Sequence, residues 1–207
     1  MRTPRPLADD PLADPPSPVS AWNVANGLTV FRLLLVPVFI TTLFHGGGHL
    51  TGWRVVAWGV FAVASLTDRF DGEIARRRGL VTEFGKLADP IADKALVGAA
   101  LVGLSLLDDL PWWVTVVIIV REVGVTLLRF WVIRHGVIAA SRGGKVKTLL
   151  QGVSIGLFVL PLHGWPHGAA WVIMIAAIAV ALVTGADYVA RAIRLRRAGR
   201  GAAQAAA

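Results

Sequence analysis

The sequence predicts an all-α integral membrane protein of six transmembrane helices, with a short N-terminal amphipathic helix on the membrane surface. Three observations carry this prediction. Hydrophobic residues make up 55% of the 207, and mean hydropathy is +0.63, more than a soluble domain of this size tolerates. The apolar residues fall into six stretches, each near the roughly 20 residues that a helix needs to cross a bilayer core. The basic residues gather in alternate gaps between those stretches, the pattern expected of a multi-pass protein.

Residues 1–18 are rich in Pro and Asp, contain no apolar run, and are expected to form a disordered tail rather than a signal peptide. From Val19 to Asn26 a short amphipathic stretch places Trp22 at headgroup level. The six apolar segments are expected at Gly27 to Phe44, Trp53 to Asp71, Ala88 to Leu107, Trp112 to Ile133, Thr148 to Leu162 and Ala169 to Ala190. Gly46-Gly47-Gly48, Asp108 to Pro111 and His163 to Pro166 break the chain between pairs. Residues 19–192 thus form one membrane catalytic domain, followed at 193–207 by a basic and then Ala-rich tail.

The formal charge of +8 arises between and after the apolar segments. Arg76, Arg77, Arg78 and Lys86 fill the second gap, and Arg134, Arg142, Lys145 and Lys147 fill the fourth. Arg191, Arg194, Arg196, Arg197 and Arg200 follow the sixth segment, whereas Arg54 is the single basic residue on the opposite side. The positive-inside rule therefore puts both termini on the cytoplasmic side of the cell membrane. This placement argues against nucleic acid as a partner, and suits the C-terminal arginines to anionic lipid headgroups. With no cysteine in the chain, disulfides and thiolate metal sites are excluded.

Chemistry concentrates between Asp68 and Asp93. Asp68 and Asp71 are three residues apart, Asp89 and Asp93 four apart, so each pair lies on one face of a helix. A short return from Arg76 to Gly85 would bring the two faces together near the cytoplasmic surface. Converging carboxylates repel one another at a high cost in a partly dry site, and a hard divalent cation removes that cost. Oxygen-only ligands select magnesium, manganese or calcium over zinc, and two ions would suit displacement at a diphosphate. Gly72, Ala75 and Gly85 leave room for a nucleotide or diphosphate close to the backbone, and Arg76 offers a planar fork to phosphate oxygens. A single such pair would more simply cap or form structural ion pairs; two pairs with small residues interleaved point to a site.

These residues carry a resemblance to the CDP-alcohol phosphotransferase family. Its signature D-x2-D-G-x2-A-R-x8-G-x3-D-x3-D is met by Asp68, Asp71, Gly72, Ala75, Arg76, Gly85, Asp89 and Asp93 with every spacing intact. The resemblance implies that Asp68, Asp71 and Asp89 hold metal, Mg2+ or Mn2+, and that Asp93 both touches metal and serves as the catalytic base. It also implies that Gly72, Ala75, Arg76, Gly85 and Thr29 surround the cytidine diphosphate of a CDP-diacylglycerol donor. A homodimer is implied in the same way.

Further stretches, Asn23 to Arg32, Arg121-Glu122 with Arg129, and Gly144 to Thr148 with Gln151, resemble the branch of that family that uses glycerol 3-phosphate and yields phosphatidylglycerophosphate. A dianionic acceptor phosphate needs cationic donors, and Arg121, Arg129, Lys145 and Lys147 are the candidates. Arginine inside a membrane is expensive and usually functional; the two lysines fit ordinary topology nearly as well. Branches that use phosphatidylglycerol (cardiolipin synthases) or inositol phosphate share the signature and stay open at this point. Two readings from other classes are an aspartate-rich membrane prenyltransferase, disfavoured by the single contiguous signature, and a cation transporter, disfavoured because the carboxylates cluster at one face. His45 and His49 read as loop histidines, and Trp112, Trp113, Trp165 and Trp171 as interfacial anchors.

Overall fold

The computed structural model describes the backbone of residues 24–78, 83–132 and 142–205, and within these the side chains of residues 26–67, 91–92, 94–128 and 143–194. The described residues form six α-helices and no strand: α1 (Val24–Phe44), α2 (Thr51–Arg78), α3 (Glu83–Leu106), α4 (Trp112–Val132), α5 (Arg142–Val159) and α6 (Trp165–Ala205). A 3-10 turn, His45–Gly48, joins α1 to α2. There Gly48 has φ 82°, and a Cβ on it would sit 2.3 Å from Leu107, so both conformation and space demand glycine. The expected surface helix from Val19 lies outside the described residues up to Asn23, and Val24 to Asn26 are the first turn of α1.

Three boundaries differ from the sequence expectation. Gly85 was expected in a loop and is the third residue of α3, so only residues 79–82 separate α2 from α3. The start expected for the fifth segment at Thr148 is instead Arg142, which puts Lys145 and Lys147 in the first two turns of α5. The sixth helix does not end near Ala190: residues 193–205 continue it, because Ala, Arg and Gln are strong helix formers whatever their hydropathy. At 41 residues, α6 is about 60 Å long, roughly twice the bilayer core.

The bundle packs α1 against α2 and α3, α5 against α6 and α2, and α4 against α6 and α3. Small residues set the spacing: Ala57, Ala64 and Ala100 are fully buried, and a Cβ on Gly103 would lie 2.7 Å from Leu43 of α1. Phe39, Phe61, Leu101, Leu104, Ile118, Ile155 and Met174 complete the core. Ser105 and Thr115 share a hydrogen bond across α3 and α4 at 2.7 Å. Large apolar side chains also cover the outside, among them Leu34, Val120, Leu127, Val172 and Val183. Two stretches among the described residues, Asn26–Gly48 and Trp165–Arg194, are long and apolar enough to cross a bilayer. Only 22% and 28% of their most apolar windows are buried within the bundle, whereas the core helix of a soluble protein is mostly covered. Apolar surface on this scale needs lipid around it.

One end of the bundle is pinned by Arg54, 4% exposed. Its Nε and Nη2 donate to the carbonyls of Val159 and Phe158 at the end of α5, both at 2.7 Å. Nη1 donates to the Gly48 carbonyl at 3.2 Å and to Asp109 Oδ2 at 2.6 Å. The guanidinium therefore satisfies helix-terminal carbonyls that lack an intrahelical donor. The sole basic residue expected on that side is a structural pin, and the candidate site lies at the other end.

Candidate active site

Both aspartate pairs stand on helical backbone. Asp68, Asp71, Gly72, Ala75 and Arg76 occupy the last turns of α2, and Gly85, Asp89 and Asp93 the first turns of α3. The helices pack on one another and are joined by residues 79–82, so the spacings of three and four place each pair on one helical face. The side chains of all eight signature residues, and that of Arg129 on α4, lie outside the described residues. Among the described residues no group of three or more His, Asp or Glu is placed to hold a metal. The residue types expected to hold a metal here, the carboxylates of Asp68, Asp71, Asp89 and Asp93, are hard oxygen donors and would suit a hard divalent cation rather than a soft or nitrogen-seeking one.

Beside this point a polar network crosses four helices. Lys94, the residue after Asp93, donates to Thr126 Oγ1 of α4, and Thr126 donates to the Glu122 carbonyl at 2.8 Å. Glu122 Oε1 accepts from Arg121 Nη1 at 2.9 Å and from Lys147 Nζ of α5 at 2.5 Å. Arg121 is held further by α6: Nε donates to the Ala181 carbonyl at 3.0 Å and Nη2 to Thr184 Oγ1 at 2.8 Å. Lys147 is 6% exposed. Lys94, Glu122, Lys147, Thr148 and Gln151 line a cavity of about 150 Å³ between α3, α4 and α5.

The structure thus brings Arg121 and Lys147 together and separates Lys145 from them. Lys145 is exposed, because residues two apart on a helix point about 200° apart. Lys94 and Glu122 belong to the network but were not among the sequence candidates. The signal for Lys94 was its place directly after the fourth signature aspartate, and for Glu122 its place beside an intramembrane arginine.

On α1, Asn26, Thr29 and Arg32 recur every three residues and are all buried, and each has interaction partners. Arg32, wholly buried, lines the end of a groove of about 450 Å³. The groove runs between α2 (Trp58, Phe61, Ala62, Ser65) and α5 (Leu149, Gly152, Val153, Gly156), with Leu96 and Val97 of α3 as its floor. Its walls are apolar apart from Arg32, Ser65 and Thr148, and these stand toward the aspartate end of their helices.

Comparison with known proteins agrees with this geometry. The family model for CDP-alcohol phosphatidyltransferase matches residues 22–183. A Mycobacterium tuberculosis protein named "Probable phosphatidylglycerophosphate synthase" is 63% identical over 172 residues, 83% of this chain and 82% of its own length. The Bacillus subtilis CDP-diacylglycerol–glycerol-3-phosphate 3-phosphatidyltransferase is 39% identical over 160 residues, covering 70% of this chain and 79% of its own. The Escherichia coli protein of the same name is 34% identical over 177 residues, covering 83% and 95%. With a match that spans both aspartate pairs and five of the six helices in full, the chain belongs to the CDP-alcohol phosphatidyltransferase family of membrane enzymes.

Proposed function

We propose that this enzyme transfers the phosphatidyl group of CDP-diacylglycerol to sn-glycerol 3-phosphate, giving phosphatidylglycerophosphate and CMP for phospholipid biosynthesis. The observation that carries the acceptor assignment is the meeting of Arg121 and buried Lys147 on one carboxylate, with Lys94 beside them next to Asp93. Lys94 and Lys147 both line the small cavity, and Arg121 meets Lys147 on Glu122 at its edge. A phosphate monoester, about −2 at neutral pH, suits such basic side chains, and inositol phosphate would suit them as well as glycerol 3-phosphate. A serine or phosphatidylglycerol hydroxyl has no dianion to offer there. The names of the relatives support the same acceptor. Arg129 and Lys145 complete the basic set read from the sequence.

In this reading Asp68, Asp71, Asp89 and Asp93 hold magnesium or manganese, as two ions, and the metal when bound neutralises charge on the donor diphosphate. Asp93 accepts the proton of the acceptor hydroxyl. The acceptor oxygen then forms a bond to the lipid-bearing β-phosphorus as the bond from that phosphorus to the oxygen it shares with the cytidine phosphate breaks. CMP departs with the electron pair, and the proton rests on Asp93. Arg76 stabilises charge on the phosphates, while Gly72, Ala75, Gly85 and Thr29 leave room for and bind the cytidine diphosphate. The apolar groove between α2 and α5 accepts an acyl chain of a donor that arrives from within the bilayer.

All six helices cross the cell membrane, with the active site and both termini cytoplasmic, and the enzyme works as a homodimer without nucleic acid. The arginines after Arg191, interspersed along the extension of α6, support that orientation. The reading is tested by supplying purified enzyme with CDP-diacylglycerol, magnesium and single acceptors. CMP release with phosphatidylglycerophosphate from glycerol 3-phosphate alone supports it; product from phosphatidylglycerol, inositol phosphate or serine instead would replace the acceptor.

A further inference from the structure

We infer that Glu122 is a positioning residue for the acceptor's phosphate: anchored by Arg121, it holds Lys147, which lines the cavity, in place to meet the phosphate. This rests on the proposed acceptor. Both cations donate to the same atom, Glu122 Oε1, which fixes them relative to each other and not merely to the protein. Their surroundings differ. Arg121 is anchored by two further donations into α6, and its planar guanidinium leaves little freedom. Lys147 carries its charge on a flexible four-carbon stem, and Glu122 is the carboxylate against which its Nζ is fixed.

Without that carboxylate, an ammonium as buried as Lys147 would be left unpaired at high cost. Its stem allows the head to swing toward water instead. Glu122 thus passes the rigidity of the α6-anchored arginine on to the lysine. Its backbone carbonyl accepts from Thr126, the partner of Lys94, which lines the cavity from α3. At about 150 Å³, the cavity equals about five water molecules at about 30 Å³ each. That is room for a phosphate group. A carboxylate beside an anion site costs some attraction, and the gain is a preorganised lysine donor.

The test is E122Q, with E122D as the conservative variant, in the purified full-length enzyme. Expected for E122Q is a KM for glycerol 3-phosphate raised about tenfold or more, with the inhibition constant of inorganic phosphate rising in parallel. The KM for CDP-diacylglycerol stays within about twofold, and E122D recovers part of the loss. A purely structural strut would instead move both KM values together or lower the yield of folded enzyme without altering either. That result, an unchanged glycerol 3-phosphate KM, or a lower one showing that Glu122 competes with the phosphate, overturns the inference. Should E122Q not purify folded, E122D with the phosphate inhibition constant carries the same comparison. Wild-type enzyme inactive with glycerol 3-phosphate would refute the acceptor reading itself, whereas an active wild type with an indifferent E122Q refutes only the role of Glu122.

Discussion

Lys147 Nζ lies 2.5 Å from Glu122 Oε1, joining the second turn of α5 to the middle of α4. The basic stretch that precedes the fifth apolar segment is thereby drawn into the bundle. Of its two lysines, one faces inward to a carboxylate and the other faces outward. That difference in direction predicts a difference in function.

Lys147→Ala is expected to raise the KM for glycerol 3-phosphate by about tenfold or more, a loss of about 1.4 kcal/mol or more of binding. The KM for CDP-diacylglycerol should change little. Lys145→Ala, on the exposed side of the same helix, should have the smaller effect. Initial-rate kinetics with each substrate varied in turn provide the check, and an equal rise for both substrates would place Lys147 outside a dedicated acceptor site.

Asp93→Asn removes the proposed proton acceptor but keeps the shape of the side chain. Turnover is expected to fall by at least about 100-fold, the lower range for loss of a general base, in a protein that still purifies as a folded species. Substantial activity in that purified variant would take the role of base away from Asp93.

Chelation should abolish CMP release, and magnesium or manganese should restore it. Zinc should not, since the proposed donor set is four carboxylates with no cysteine or histidine in the signature. The assay is CMP release from chelator-treated enzyme titrated with each metal.

Ala62→Phe places a ring in the groove between α2 and α5. A KM for CDP-diacylglycerol raised about tenfold is expected, equivalent to about 1.4 kcal/mol, with glycerol 3-phosphate unaffected. A donor with shortened acyl chains should narrow the gap between variant and wild type. Equal behaviour of variant and wild type with long-chain donor would take the acyl chain out of this groove.

Arg54→Met at the opposite end leaves Asp109 and three carbonyls without their donor. Asp109 is half-buried and can turn to water, but the carbonyls of Gly48, Phe158 and Val159 lose a buried donor at about 1–3 kcal/mol for a group left unsatisfied, so the thermal unfolding temperature in detergent should drop. KM values of the remaining folded enzyme should hold, because Arg54 lies away from the substrates.

Much of this was legible in the sequence. The signature spacings and the alternation of basic gaps follow from local rules; the helix at 112–132 lies where apolar length puts it, while those at 24–44 and 83–106 begin three and five residues before the expected segments. Hydropathy misled at the ends of α5 and α6, because it measures preference for lipid and not for helix, and Arg142 to Lys147 and residues 193–205 form helix without being apolar. The acceptor candidates were legible as residue types but not as a cluster. Nothing in the spacing of Arg121, Glu122 and Lys147 says that α4 and α5 meet there, and only packing shows that Lys145 turns away. Arg54 illustrates the same limit: one cation on the uncharged side reads as topology, and its partners come from three separate stretches of chain.

The central claim is the pairing of CDP-diacylglycerol with glycerol 3-phosphate, and acceptor competition tests it most directly. Purified enzyme with magnesium and CDP-diacylglycerol is offered glycerol 3-phosphate, phosphatidylglycerol, inositol phosphate and serine separately, and CMP and lipid product are measured together. The account predicts stoichiometric CMP and phosphatidylglycerophosphate from glycerol 3-phosphate and neither from the other three; CMP release with a different acceptor, and none with glycerol 3-phosphate, would contradict it.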